Sequence, residues 1–476
     1  MNKKFYITTT LPYVNADPHI GFALEIVQAD VIARYHRLKG DDVFFNFGTD
    51  EHGQKVYEAA EKEGMDVQKY CDIYAAKFDA LKEALNLSYN NFIRTTDEHH
   101  IKAAQEFWKR CDEAGDIYKK NYKIKYCVGC ELERTDSELI NGRCPLHPNK
   151  ELEIIEEENY FFKFSRYQEK LLELYKKHKD FVIPRERLNE IKKFVEQGLQ
   201  DFSISRLKEK MPWGVPVPGD ETQVMYVWFD ALVNYISAIG WPDDLKKFNS
   251  WWPAVQVAGK DNLRQQGAMW QAMLMSAGLE SSKQIIIHGY VTNEGQKMSK
   301  SLGNVVNPIE LAEKYGTDAV RYYLLKYFHH FEDSDFTIES FKAVYNADLA
   351  NGLGNLVSRV SNMIEKITNG EININERNAP RNKLVLGQIN KLIEEYDFKG
   401  ALEKINRMVT LADRLIDSEE PWRGQPNAIT VLSQNVGYIL DIAKSLEPFL
   451  PDTSVKIKKQ FSTQKIKKEP PLFPRL

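Results

Sequence analysis

The sequence predicts an α/β protein in which a parallel sheet is split by an insertion and followed by a bundle of helices. Three observations carry this. Short apolar, strand-like runs alternate with helical periodicity over residues 1–116 and again over 216–334, the βαβ pattern that builds a parallel sheet. Between them, over 117–215, the alternation stops and a cysteine–histidine cluster appears. Over 335–476 strand signals nearly vanish and helical periodicity dominates, which reads as a helical bundle.

The first strand is Lys4–Thr10, apolar from Phe5, and the helix after it runs over Phe22–His36 with Ala23, Ile26, Val27, Val31 and Tyr35 on one face. Val43–Gly48 is the second strand. Met65–Leu85 reads as one amphipathic helix, with Val67, Tyr70, Tyr74, Phe78, Leu81 and Leu85 aligned. Inside the insertion, Asn159–Phe164 is a strand and Tyr167–His178 a helix. The sheet pattern returns as strands at Tyr226–Leu232, Ala254–Gly259 and Gln284–His288. The helices of the bundle are Ala347–Thr368, Leu384–Glu395, Lys399–Leu415 and Ala428–Leu446.

A chain of 476 residues has room for roughly three domains at the usual ~150 residues each. Its 43% hydrophobic and 12% aromatic residues suffice to fill their cores. No apolar run approaches the ~18 residues of a membrane span, and the start Met1–Thr8 has neither a signal-peptide nor a transit-peptide composition, so a cytoplasmic location without membrane contact is expected. A net charge of −4 excludes a globally basic surface and confines any nucleic-acid contact to local patches. There is no internal repeat at a fixed period.

Three of the five cysteines cluster. Cys127, Cys130, Cys144 and His147 form C-x2-C-x13-C-x2-H, close to the spacing by which two knuckles place four ligands around one tetrahedral zinc ion. Thiolates and imidazole suit zinc, and a closed set of four implies a structural site. Cys71 and Cys111 fall on helical patterns and read as buried thiols.

Two segments carry chemistry. Directly after the first strand comes Pro12-Tyr13-Val14-Asn15-Ala16-Asp17-Pro18-His19-Ile20-Gly21-Phe22, and far downstream comes Gly295-Gln296-Lys297-Met298-Ser299-Lys300-Ser301-Leu302-Gly303-Asn304. They resemble the paired HIGH and KMSKS signatures of the class I aminoacyl-tRNA synthetases, with Phe22 where the second histidine is expected. Thr8–Asn15, Gly48–Gly53, Tyr226–Ala231, Gly259–Asp261 and the ending Pro471–Arg475 extend the resemblance over essentially the whole chain, to the methionyl-tRNA synthetases. The resemblance implies a Rossmann-like catalytic domain split by a zinc-binding connective insertion, then an α-helical anticodon-binding domain. It implies ATP-dependent activation of L-methionine, with Mg2+ accompanying ATP, and transfer to methionine tRNA, initiator and elongator alike.

The residues suit such a reaction. A carboxylate attacks the α-phosphate of ATP, pyrophosphate leaves, and the charge that builds on phosphoryl oxygens is stabilised by fixed cations and oriented donors. His19 and Gly21 open a helix, whose N-terminus favours phosphate, and His19 is a candidate donor to ATP. Lys297 and Lys300 stand on a glycine-flanked segment where two ammonium groups can close over the triphosphate, with Lys300 the main pyrophosphate contact. By the resemblance, Leu11, Trp228 and Tyr235 form the methionine pocket, Asp50 takes the substrate ammonium, Arg206 orients Asp50, and Asp261 is a pocket carboxylate. An apolar, aromatic cup suits a thioether. Asp230 is expected to support the scaffold.

Two positions depart from the family pattern. Gln265-Gln266 replace an aromatic or proline residue and a histidine, and Phe22 removes one imidazole near ATP. An amide in a pocket needs partners, so these glutamines are expected to bond each other, Tyr235, Asp261 or water. In the helical region Asn355, Arg359 and Trp422 match the positions where the family reads the anticodon, with Trp422 a stacking platform for an unstacked base. The chain ends at Leu476 without the appended domain some relatives use to dimerise, so a monomer is expected. Two other readings stand beside this one: a non-catalytic tRNA-binding paralogue, and a class I synthetase of altered amino-acid specificity.

Overall fold

The computed structural model describes residues 2–130, 132–134, 138–298, 303–378 and 383–476. They form two compact units, the first of Met1–Pro18, Asp41–Ala80 and Tyr89–Ile287, the second of His19–Gly40, Leu81–Ser88 and His288–Leu476.

The first unit is built on a six-stranded sheet of β1 (Lys4–Thr9), β2 (Asp42–Thr49), β3 (Asn91–Arg94), β4 (Val182–Ile183), β5 (Val255–Gly259) and β6 (Gln284–His288), in the order β3-β2-β1-β5-β6-β4. β1 runs parallel to β2 and β5, β2 to β3, and β6 to β4. β1 beyond Lys4 and all of β5 are buried, as expected of parallel strands covered on both faces, and this is why they read as continuous apolar runs. The segment 117–215 contributes the edge strand β4 and carries an antiparallel sheet of its own, in the order Leu132–Arg134, Ile117–Cys127, Glu153–Phe162, Phe202–Ser203. The core is aromatic. Phe107 stacks on Trp270 at 5.5 Å and meets Trp241 and Phe229 edge-on at 5.8 Å each. Burial of each such Phe contributes about 1.5–3 kcal/mol.

Two elements differ from the sequence reading. Tyr226–Leu232 is not a strand: the strand is Asp220–Met225, and Val227–Ala231 is a helical turn. Tyr226 O accepts from both Phe229 N and Asp230 N, closing the turn, and this carries Asp230 to two buried histidines. Met65–Leu85 is not one helix either. It stops at Asp79, where the Tyr89 hydroxyl donates to the Asp79 carbonyl at 3.2 Å and its carboxylate at 2.6 Å, and a separate turn follows at Leu81–Ala84.

In the second unit the helix Ile20–Leu38 buries two carboxylates, and each has a cation or imidazole against it. Glu25 meets His288 Nε2 at 2.9 Å, and Asp30 meets Arg321 at 2.8 Å and Arg34 at 2.7 Å. Arg321 is fully buried and also donates to the carbonyls of Leu85, Pro448 and Phe449. Every nitrogen of the Arg321 guanidinium is thus bonded, the condition under which burial of its charge is tolerable. The helices of this unit include Asn355–Thr368, Lys383–Glu394, Phe398–Glu419, Ala428–Leu446 and Pro451–Phe461. The first is entered through a π-helical stretch, Tyr345–Gly354. No described helix is long and apolar enough to cross a membrane.

Candidate functional site

In the first unit a group of residues gathers at the C-terminal ends of β1 and β2, where open parallel sheets bind ligands. Asp50, one residue past β2, bridges Tyr13: its N donates to Pro12 O at 2.9 Å and its O accepts from Val14 N at 3.3 Å. This fixes the Leu11–Tyr13 segment beside a carboxylate only 3% exposed. Tyr13 meets Trp228 edge-on, centroids 6.4 Å apart, while Leu11 is half-buried two residues away.

Asp230 holds these pieces together from below. Its carboxylate is fully buried between His52 Nδ1 at 2.6 Å and His100 Nε2 at 2.8 Å. Burial opposes its ionisation, but the two histidines, His52 foremost, hold its pKa down to about 2. Asp230 therefore ties the segment bearing Asp50 to the turn bearing Trp228. Sequence reasoning gave Asp230 a scaffold role but missed both histidines; nothing local in the chain marks His100.

Tyr235 and Gln266 form a second knot. Gln266 Nε2 donates to the Tyr235 hydroxyl at 2.6 Å, and Gln256 Nε2 donates to Gln266 Oε1 at 3.1 Å. The expected partnership of the departing glutamines with Tyr235 is therefore present for Gln266. Gln256 was missed, although a polar residue inside the buried run Val255–Gly259 is a signal. Gln265–Met269 is a π-helical segment, a feature frequent at functional sites. Arg206 is buried; it donates to Ser203 Oγ at 2.7 Å and Ser205 O at 2.8 Å, with its guanidinium 5.0 Å from the rings of Tyr126 and Tyr226. Asp261 lies exposed on the 3-10 turn Lys260–Asn262.

In the second unit His19 caps the helix Ile20–Leu38. Its Nδ1 accepts from Phe22 N at 3.3 Å. With Nδ1 an acceptor, the neutral ring carries its proton on Nε2, so Nε2–H is the donor. The Ile20 N–H of this first turn is taken by Val306 O at 2.9 Å. Met298 packs over the same turn: a Cβ placed on Gly21 would come within 3.5 Å of the Met298 methyl and 3.1 Å of the His19 ring. The two signature segments therefore touch through Gly21 and Met298. Gln296–Lys297 pairs antiparallel with Val291–Asn293, Lys297 opposite Thr292. The turn between them puts Glu294 at φ 52° and Gly295 at φ 72°, the left-handed pair that a tight hairpin requires. Lys300 lies outside the described residues, as does the side chain of Lys297.

The four proposed metal ligands come together in the insertion. Cys130 Sγ lies 3.5 Å from Cys144 Sγ and 3.2 Å from His147 Nδ1, and Cys127 Sγ lies 3.8 Å from His147 Nδ1. All four ligand atoms lie within 4.8 Å of one another; a tetrahedral ion with ~2.3 Å metal–sulfur bonds sets neighbouring sulfurs about 3.8 Å apart, so the donor set fits one. Cys130 N donates to Cys127 O and His147 N to Cys144 O, each at 3.1 Å, forming two knuckles. Gly129 permits this: a Cβ there would lie 2.5 Å from the His147 ring. Burial pushes the Cys130 thiol up to about 12 against the pull of Arg134, whose NH2 donates to Sγ at 2.9 Å. A coordinated ion reverses that balance, because coordination deprotonates a thiol.

On the helical face, Asn355 is exposed and Arg359 lies one turn further along the same helix. Trp422 is 46% exposed on the turn Pro421–Arg423, and the Arg359 guanidinium lies 5.4 Å from its ring. Arg359 is already engaged, donating to Asp417 at 2.5 Å with Asp413 at 3.7 Å. Asn355, Arg359 and Trp422 thus share one patch.

Known proteins resemble this chain over nearly its whole length. The model of the family described as tRNA synthetases class I (M) matches residues 5–153 and 133–361. The methionine–tRNA ligase of Thermosynechococcus vestitus is 42% identical, covering 96% of this chain and 90% of the relative. That of Thermotoga maritima is 42% identical, covering 96% and 75%. Among solved structures, Mycobacterium tuberculosis methionyl-tRNA synthetase in complex with methionyl-adenylate aligns with a TM-score of 0.92 at 35% identity over 99% of this chain and 100% of that one. Its apo form aligns at 0.84 with 33% identity, over 100% of this chain and 99% of that one.

Proposed function

The chain belongs to the methionyl-tRNA synthetases of class I, and we propose how its residues divide the work of activating methionine with ATP and charging it onto tRNA. The observation that carries the adenylation reading is the packing of Met298 over Gly21, which sets the lysine-bearing segment against the turn capped by His19. His19 donates from Nε2 to a phosphate oxygen of ATP, Gly21 lets the nucleotide approach the turn, and Lys297 and Lys300 neutralise the departing pyrophosphate. Mg2+ arrives with ATP as part of the substrate. Asp50 pairs with the methionine ammonium and Arg206 steadies Asp50. Leu11, Trp228 and Tyr235 enclose the thioether, Tyr235 being oriented by Gln266. Asp261, exposed at the end of β5, closes the rim.

The survey that tests this is ATP–pyrophosphate exchange across the twenty amino acids. Methionine is expected first, with norleucine and ethionine as secondary substrates, because an apolar pocket separates neighbours by only about 10–200-fold per methylene. Another amino acid outcompeting methionine would overturn the pocket assignment. No exchange with any amino acid would leave the tRNA-binding paralogue.

The ion held by Cys127, Cys130, Cys144 and His147 is zinc, and when bound it supplies folding free energy to the insertion. Cys127→Ser or Cys144→Ser should release the metal and open 117–150 to protease while the parallel sheet stays folded. Purified protein with no zinc and full activity would contradict this.

Asn355, Arg359 and Trp422 read the anticodon of methionine tRNA, initiator and elongator, in the cytoplasm, with the chain acting as a monomer. Reading a base requires Arg359 to leave Asp417. Trp422→Ala should weaken tRNA charging by the ~1–3 kcal/mol of one stacked base while pyrophosphate exchange holds. Equal losses in both assays would make Trp422 a packing residue.

A further inference from the structure

Positive charge is gathered in one stretch of the second unit. Residues 455–476 hold six lysines and Arg475 against Glu469 alone, a net +6 that leaves −10 on the rest of a chain whose total is −4. The middle of this stretch is fixed as a strap against the C-terminal end of the helix Asn355–Thr368. Ile466 is fully buried, and its N donates to Gly370 O at 2.9 Å. Lys467 O accepts from Gln460 Nε2 at 2.9 Å, Lys465 O accepts from Thr463 Oγ1 at 3.1 Å, and Lys468 N donates to Glu365 Oε2 at 3.4 Å. Backbone atoms of residues 465–468 make all of these bonds. The side chains of Lys465, Lys467 and Lys468 are therefore left exposed, and among the described residues none of their ammonium groups is in an ion pair. Lys458, by contrast, is spent on Glu447.

We infer that this lysine strap grips phosphates of the anticodon arm of the tRNA, an assignment that rests on the function proposed above. Position carries it. Asn355, Arg359 and Lys366 stand at i, i+4 and i+11 of one helix and so share a face, and Glu365, the neighbour of Lys366, is the residue that holds Lys468. Lys366 lies about 10 Å along the axis from Arg359 at ~1.5 Å per residue, the length of about three nucleotides at ~3.4 Å each in a helical strand. A strand whose bases reach Asn355, Arg359 and Trp422 thus has phosphates within reach of the strap. Beyond Lys468 the chain keeps to the same helix: Phe473 N lies 3.7 Å from where a Cβ on Gly354, the neighbour of Asn355, would stand. Arg377 joins the strap by donating to Thr463 O at 3.4 Å. With Arg377 and Lys366 the three lysines outnumber the acids beside them, Glu365, Glu371 and Glu469. Cations on a backbone already fixed lose less freedom on binding, and phosphate contacts position a nucleic acid without reading it, the complement of what Asn355, Arg359 and Trp422 do.

The test is the Kd of the full chain for full-length methionine tRNA over a range of KCl, with phosphate alkylation to map which phosphates the protein protects. The triple substitution Lys465→Gln, Lys467→Gln and Lys468→Gln should weaken binding on the order of tenfold and flatten the slope of log Kd against log salt by about 2–3, since each phosphate contact contributes ~0.7–0.9 to it. The native chain should protect phosphates in the anticodon arm, and the triple variant should leave some of them open. The weakening should be the same factor for a tRNA with an altered anticodon, because phosphates carry no sequence. Replacing the same three lysines with arginine keeps the charge and should keep slope and protection, and pyrophosphate exchange, which needs no tRNA, should hold at the native rate in both variants. An unchanged salt slope in the glutamine variant overturns the proposal. So does an arginine variant that loses as much, which would make the strap a packing element, and so does protection lost only outside the anticodon arm. Failure of the native chain to charge methionine tRNA at all would instead count against the proposed function itself.

Discussion

Lys300→Ala should lower kcat for methionyl-adenylate formation by on the order of 10²-fold or more, with a smaller change in the methionine KM. Removing one preorganised donor from a site of developing charge costs about 10²–10³ in kcat, and an interaction made chiefly in the transition state leaves ground-state binding little changed. The supports of the lysine segment make this a local test. Asp335 accepts from Gly295 N at 2.8 Å and Thr292 Oγ1 at 2.6 Å, and Asn293 Nδ2 donates to Asn304 O at 2.8 Å. Both ends of the stretch 293–304 are therefore anchored by residues other than Lys300, so its truncation should leave the hairpin Val291–Lys297 in place. Pyrophosphate exchange at the native rate in this variant would remove Lys300 from the reaction.

What the sequence disclosed and what it concealed follow from one distinction, between signals carried locally and signals carried by partners far along the chain. The cysteine–histidine spacing is local, and the four ligands meet in the structure. The strands β1, β5 and β6 were legible because burial on both faces makes a parallel strand a continuous apolar run. The same rule misled at Tyr226–Leu232, since a short apolar run does not distinguish a buried strand from a buried helical turn. What decided it was the fit of Asp230 between His52 and His100, 178 and 130 residues away. Glu25 and Asp30 carry no local sign of burial, yet both are buried, because His288 and Arg321 meet them from more than 250 residues downstream. The π-helical segment Gln265–Met269 left no mark in periodicity. The short strand β4 lay hidden between helices within the insertion, since two residues are too few for any pattern.

Asp50→Asn should raise the methionine KM and lower kcat/KM by about two to three orders of magnitude while changing the KM for ATP little. Asp50 is 3% exposed, so an ammonium paired with it is largely out of water, and loss of one partner from a buried charge pair costs about 2–5 kcal/mol. The substitution is isosteric, and the backbone bonds that place residue 50, to Pro12 O and from Val14 N, do not involve the carboxylate. The fold should therefore survive, and a near-native melting temperature would assign the loss to recognition. Methioninol separates the ammonium from the reacting end, because it keeps the amine and lacks the carboxylate. Its dissociation constant should weaken in Asp50→Asn by the same factor as the methionine KM. If methioninol binds native and variant chains alike, Asp50 does not hold the ammonium.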